Sequence, residues 1–517
     1  MFACVLLPGL VLHLASHTPT GDGTGDSYQN MWYLWWVGRA LRSGSDIYHT
    51  DRLFWPVGTS LVLHTLTPAN GVLSLPVQML WTGTHGLLAS YNLLTLASFA
   101  LTGLGVHLLA RDHGASLVGA CTAGALAMSV PYRFVHLNHL NLLSTQWCVI
   151  TLVLLMRTLA RGSLGSALAL GVTAALTTYS DYESAVYTLM ACLILIAVHL
   201  ATQLRSGVLA ARLLPLGAAS VVALLLHLPL LGALLDPSRQ TSVPPLASYA
   251  HNLSANLLAV FSPPPSSLMW APWHPANLAA GNGTGGDEAA VGCMFVTVLA
   301  GLALVRRQRA ALPWLGLGAF FMLLALGPSL RVGSATYLEN AMPYAWLTRA
   351  LPALNMGRSP VRMCNMAGIF WAVALGLLIH PPGQRIRRGL SAVLIGLLAL
   401  ERAPAHAPAL EAVHVPQVYT RLAAEPGDFA IMPAPLGYVH QQVYMFWQTV
   451  HAKALTSGGG ARRAPEAGRF IQAFARAQSE AERLELLHAA NVRYMIVHTP
   501  QPGELMTREP RVLTVPR

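Results

Sequence analysis

The chain has 517 residues, 54% hydrophobic and 10% charged, with a formal net charge of +11 and a mean hydropathy of +0.49. Soluble domains carry roughly 25% charged residues, so lipid replaces water as the main solvent of most of this chain. The charge excess does not point to nucleic acid, because the arginines sit in short loops between apolar runs, where they report membrane orientation.

In chain order, Met1–Leu14 is read as a first span. It lacks the charged n-region and cleavage site of a signal peptide, and its shortness leaves open a start farther upstream. Gly71–Thr82 contains Pro76 and is too short to cross, so it is expected to lie on the membrane surface. Runs long enough, or nearly so, to cross roughly 30 Å of hydrocarbon follow at Leu87–Ala110, Ala115–Val130, Leu142–Ala160, Leu164–Tyr179 and Ser184–Gln203. Others lie at Leu213–Leu235, Ala289–Val305, Leu312–Leu330, Met363–His380 and Leu390–Leu400, for about eleven spans in all. The six cysteines (Cys4, Cys121, Cys148, Cys192, Cys293, Cys364) are scattered through apolar runs without CxxC spacing, and read as small buried residues.

Orientation follows by alternation. With the N-terminus inside, Arg111, Arg157, Arg161, Arg205, Arg212, Arg306, Arg307, Arg309, Arg385, Arg387 and Arg388 all fall on the cytoplasmic side, as the positive-inside bias requires. The opposite loops hold Asp22, Asp26, Asp46, Asp51, Asp181, Glu183, Asp236, Asp287, Glu288 and Glu339. Three of those loops are long: Ala15–Thr84, Asp236–Asp287 and Arg331–Pro360. Short cytoplasmic turns and long acid-bearing outer loops describe a protein that works on the far side. Two regions result: a membrane domain over residues 1–401, with its long first outer loop at 15–84, and a small extracytoplasmic α/β domain over 402–517. In the latter, Phe429–Met432 and Tyr494–Val497 read as buried strands, with helical spacing between them over Glu466–Ala490.

The first outer loop carries the chemistry. Gly21 to Trp36 reads GDGTGDSYQNMWYLWW: a glycine-rich turn presenting Asp22 and Asp26, then an aromatic helix whose Trp32, Trp35 and Trp36 suit the lipid–water interface. Asp26 with Gln29 has capping-box spacing, and a carboxylate so held also suits a general base; both readings stand. Asp181-Tyr182-Glu183 sits in a short turn between spans, where two acids are costly unless they serve a site or pair with a base. Arg133, His136 and His139 are candidates for a phosphate or a metal, with interfacial hydrogen bonding as the plain alternative. Arg358 and Arg362, four residues apart beside Pro360, are better placed to clamp a phosphate; their plain alternative is contact with lipid headgroups. Gly458-Gly459-Gly460 with Arg462 and Arg463 lacks the phosphate-loop pattern and reads as a loop. No catalytic triad order, HExxH or dinucleotide fingerprint is present, and no metal or other cofactor is specified, although a divalent ion stays open.

An apolar first helix, an acid opening an interfacial helix in a long outer loop, and many further spans resemble the C-type (GT-C) glycosyltransferases. These are membrane enzymes that take a sugar from a polyprenyl-phosphate carrier. Asp26 is the position matching that superfamily's catalytic aspartate, with Asp22 close behind. Asp181-Tyr182-Glu183 is similar to its second acidic motif but is displaced, for the loop between the third and fourth spans holds Arg133, His136 and His139 instead. Leu351–Arg362 and Gln448–Lys453 are similar to segments of bacterial, poorly characterised GT-C-like proteins. The resemblance implies an all-α polytopic bundle in a bacterial cytoplasmic membrane. Its donor would be a polyprenyl-phosphate-linked sugar, and its acceptor an extracytoplasmic glycan, lipid or protein. Inverting transfer by Asp26, Asp22, Asp181 and Glu183 would be accompanied by phosphate contacts from Arg358, Arg362, Arg133, His136 and His139. The competing expectations are a transporter or flippase of a lipid-linked saccharide or small solute, and a non-catalytic envelope-assembly scaffold.

Overall fold

The computed structural model describes residues 2–19, 25–203, 209–239, 247–261, 309–351, 359–379, 385–402, 408–459, 468–499 and 509–516, together with Leu268, Leu299, Leu302, Leu354 and Gly357. The expected span over Ala289–Val305 therefore lies almost wholly outside the described residues.

Among the described residues, five helices are long and apolar enough to cross a membrane: Gly83–Asp112, Leu140–Arg161, Tyr182–Thr202, Leu213–Leu235 and Pro360–Leu378. Leu164–Ser180 and Arg309–Ala325 are apolar but shorter. The expected first span is two five-residue helices, Phe2–Leu6 and Pro8–Leu12, because Pro8 cannot donate into the preceding turn. The Leu117–Met128 helix has 12 residues, so at 1.5 Å per residue it is about 18 Å long, well short of the hydrocarbon thickness. Close packing holds it in the bundle. A Cβ on Gly119 would lie 2.2 Å from the Gly376 carbonyl oxygen, so only glycine lets these two helices approach so closely.

The surface helix expected over Gly71–Thr82 is a 13-residue helix, Pro68–Leu80, containing Pro76. One flank is buried, with Gly71 set against Val37. The other leaves Met79 and Leu80 74% and 89% exposed, a one-sided apolar face of the kind that lies along a lipid surface.

Beyond residue 408 the chain forms a four-stranded sheet. Val492–Val497 pairs antiparallel with Arg511–Thr514 and parallel with Ala430–Ala434, which pairs parallel with Ala454–Leu455. The helical stretch between the strands is two helices, Arg469–Arg476 and Glu480–Ala489. The second is started by Ser479, whose side chain accepts from the Glu482 amide in a capping box. A helix that periodicity did not single out, Tyr438–His451, packs its aromatic face on the first loop. Tyr28, Trp32, Leu53 and Phe54 share one core with Tyr444, Phe446 and Trp447. His17–Pro19 adds a second tie by pairing antiparallel with Leu410–Ala412.

This cover corrects the expectation for the tryptophans. Trp32 and Trp36 are buried in protein; their indole nitrogens donate to Gln448 Oε1 at 2.7 Å and to the Ile47 carbonyl at 3.0 Å. The cysteines also divide. Cys148, Cys192 and Cys364 are buried, whereas Cys4 and Cys121 are exposed, and Cys293 lies outside the described residues.

Candidate functional site

Asp26 opens the helix Asp26–Ser43, but the residue before it, Gly25, is the N-cap, in the left-handed conformation at φ 75°. The capping-box reading is thereby corrected. Gln29 turns away from the helix start and donates to the Tyr33 hydroxyl at 2.6 Å. The Asp26 carboxylate is released for other partners. Oδ1 accepts from Gln442 Nε2 at 2.6 Å, and Oδ2 faces His139 Nε2 at 2.8 Å. The other His139 ring nitrogen meets Asn138 Oδ1 at 2.7 Å. Asn30 Nδ2 donates to the Asp26 carbonyl at 2.8 Å and to the Asn138 carbonyl at 3.3 Å, lacing the two segments together.

Asp181 and Glu183 sit where two apolar helices, Leu164–Ser180 and Tyr182–Gln203, meet end to end. Asp181 closes that break: Oδ2 accepts from the Ser184 amide at 2.8 Å and Oδ1 from Asn141 Nδ2 at 3.1 Å. Burial, with Glu183 adding like charge, pushes its carboxyl above the usual carboxylate range. Glu183 receives Arg362, whose Nη1 lies 3.0 Å from both carboxylate oxygens. These two acids thus occupy different roles locally, one an end-cap and one an ion-pair partner.

Asp26, His139, Asp181, Glu183 and Arg362 all line one cavity of about 810 Å³. Its polar end also takes in Asn30, His64 and Asn141. Away from that end it runs between the three helices spanning 164–235, over Leu170, Ala174, Cys192, Ile196, Leu216 and Leu231. The Arg157–Asp112 pair, at 2.6 Å, joins the far ends of the Gly83–Asp112 and Gln146–Arg161 helices.

Two candidates are placed elsewhere. Arg133 is fully buried; its guanidinium donates to Ser98 Oγ at 3.1 Å, to Thr102 Oγ1 at 3.5 Å and to Thr145 Oγ1, and stacks 4.2 Å over Phe99. It does not line the cavity: neutral hydroxyls take its two terminal nitrogens where a phosphate was expected, while Nε stays buried without a partner. His136 ends the short helix Pro131–Val135, so it and His139 share no helix face. Its ring packs on Tyr132 and edge-on to His139, with centroids 4.4 and 5.1 Å away. Among the described residues no group of three or more His, Cys, Asp or Glu is arranged to hold a metal. Asp22 and Arg358, like Gly460, Arg462 and Arg463, lie outside the described residues.

Gln442 and Asn141 were missed from sequence. The one available signal for Gln442 was a glutamine pair, Gln441-Gln442, opening an otherwise aromatic run, Tyr444-Met445-Phe446-Trp447. Both are buried, and a buried amide needs a partner. The glycines read as a plain loop are closely packed: a Cβ on Gly458 would lie 3.0 Å from the Phe54 ring, and one on Gly459 3.1 Å from Gln442 Cγ.

Residues 2–401 match the family described as "Domain of unknown function (DUF6311)", and the chain belongs to that family. No curated protein matches it. Among solved structures, it is similar to the archaeal oligosaccharyltransferase AglB from Archaeoglobus fulgidus, in complex with an inhibitory peptide and a dolichol-phosphate. The identity is 13% and the TM-score 0.48, over 96% of this chain and 69% of that one. It is also similar to ArnT from Cupriavidus metallidurans in the apo state, at 14% identity and a TM-score of 0.40, over 96% of this chain and 92% of that one. Likenesses of this size do not assign a function.

Proposed function

We propose that the chain is an integral-membrane glycosyltransferase that moves a sugar from a polyprenyl-phosphate carrier to an acceptor hydroxyl outside the cytoplasm. One observation carries this reading: three acids and an arginine from distant segments meet at the polar end of a cavity whose other end is apolar and lies between helices. A charged headgroup on a long hydrocarbon chain has that polarity. The chain would lie along the 164–235 helices and the phosphate beside Arg362, which exchanges one carboxylate contact with Glu183 for a phosphate oxygen.

In this scheme Asp26 accepts the proton of the acceptor hydroxyl. That oxygen bonds to the anomeric carbon as the bond from this carbon to the phosphate oxygen breaks, and the electron pair leaves with the phosphate. Attack from the face opposite the phosphate inverts the anomeric centre. Arg362 stabilises the charge that returns to the leaving group, and the Asp181 cap fixes the helix start that carries Glu183. Acceptors of three kinds, glycan, lipid or protein, supply the hydroxyl this chemistry needs.

Asp26→Asn tests the base directly, since it keeps shape and removes basicity. Transfer is expected to fall by at least about a hundredfold, the low end of general-base contributions. The readout is the lipid-linked sugar that accumulates in cells carrying the variant at normal protein level. Undiminished transfer would remove Asp26 from this role.

A further inference from the structure

We propose that Gln442 is a positioning residue for Asp26, so that the C-terminal part of the chain completes the site built by the first loop. This rests on the reading of Asp26 as the base. The contact joins residues 416 apart in sequence. A second contact, Trp32 to Gln448, has the same separation of 416, so the helices Asp26–Ser43 and Tyr438–His451 run side by side in the same direction with two glutamines clamping two points of the first.

The Gln442 side chain is completely buried. Its amide nitrogen donates to Asp26 Oδ1 at 2.6 Å and to Gln29 Oε1 at 3.0 Å. Both partners are oxygens, so only the NH₂ end of the amide can face them. That choice leaves Gln442 Oε1 buried without a hydrogen-bond partner, a cost the two donated bonds offset. Retreat is blocked from behind, where Gly459 runs so close that even a Cβ there would crowd Gln442 Cγ. With Gln442 on Oδ1 and His139 on Oδ2, the plane of the Asp26 carboxylate is fixed. A general base needs that fixed aim.

The test uses the full-length protein in membranes with Gln442→Ala, Gln442→Glu and Asp26→Asn. Two readouts are taken: labelling of Asp26 by a water-soluble carbodiimide with an amine, followed by peptide mass spectrometry, and sugar transfer as scored by accumulated lipid-linked sugar. Gln442→Ala is expected to raise Asp26 labelling severalfold and to lower transfer roughly ten- to a hundredfold, the scale of one hydrogen bond to a charged group. In Gln442→Glu two carboxyls that close share one proton. Transfer should therefore survive in part at acidic pH and be lost as pH rises, whereas a merely structural glutamine gives the same loss at every pH. Unchanged Asp26 labelling in a folded Gln442→Ala protein, or a pH-independent loss in Gln442→Glu, overturns the proposal. If Asp26→Asn transfers normally the base assignment falls, and the labelling result still decides whether Gln442 holds Asp26. If Gln442→Ala does not fold, the pH dependence of Gln442→Glu decides alone.

Discussion

Neutralising Glu183 separates its structural role from the chemistry around it. In Glu183→Gln the shape is kept and the ion pair with Arg362 is lost. The gross attraction at the observed 3.0 Å is about 5–6 kcal/mol at an effective dielectric of about 20. Drawing two ions out of water offsets most of this, but here each side chain keeps 18–19% of its surface exposed, so desolvation is incomplete. A net coupling of roughly 1–2 kcal/mol remains, within the range for hydrogen bonds to charged groups and below that for sealed pairs. The measurement is a double-mutant cycle with Glu183→Gln, Arg362→Gln and both together, read by SDS-driven unfolding in mixed micelles. A coupling of roughly 1–2 kcal/mol is expected. One below about 0.5 kcal/mol, the level of additivity error, would show that the contact contributes nothing net to the fold and that Glu183 is not the partner that fixes Arg362.

Two further outcomes follow from particular contacts. Gly71→Leu drives a side chain into Val37, whose Cβ would lie 2.6 Å from the new Cβ; overpacking of this kind costs about 1–3 kcal/mol. It should detach the Pro68–Leu80 helix from the Asp26 helix, read as a lower unfolding midpoint, and an unchanged midpoint would refute that packing. Asp181→Asn keeps the helix cap and removes the charge. Because the Asp181 carboxyl lies above its unfolded value, its stabilisation is fully present below the unfolded value near 3.8 and is lost as pH rises through the folded one. The variant should therefore gain stability relative to the parent between acidic and neutral pH. Parallel stability–pH curves for the two proteins would contradict the burial of this group.

How much of the site was legible depended on the range of the signal. Asp181 and Glu183 stood out because two acids two residues apart interrupt an apolar run, and Asp26 because it begins an aromatic helix after a glycine-rich turn; both are local patterns. Two misreadings came from partners supplied by distant segments. Trp32 and Trp36 have the composition of an interfacial belt, and packing with the Tyr438–His451 helix from the far end of the chain and with the Ile47 segment turns them into core. Arg133 next to two histidines looked like an anion clamp, but Ser98 and Thr102 of one helix and Thr145 at the start of another provide its acceptors, and hydroxyls at those positions carry no signal in a single sequence.

The same asymmetry explains why the organisation into a membrane part and an appended tail is incomplete as a description of the site. The acids belong to the first loop and to the junction on either side of Tyr182, yet the group that aims Asp26 comes from residue 442, and the strand His17–Pro19 is completed by Leu410–Ala412. A glutamine fully buried at 442 gains nothing from water and is tolerated only where it meets polar partners. Those partners are Asp26 and Gln29. The burial of that amide is therefore itself an argument for the site: a core built only for stability would have used an apolar side chain at 442 and left Asp26 to solvent.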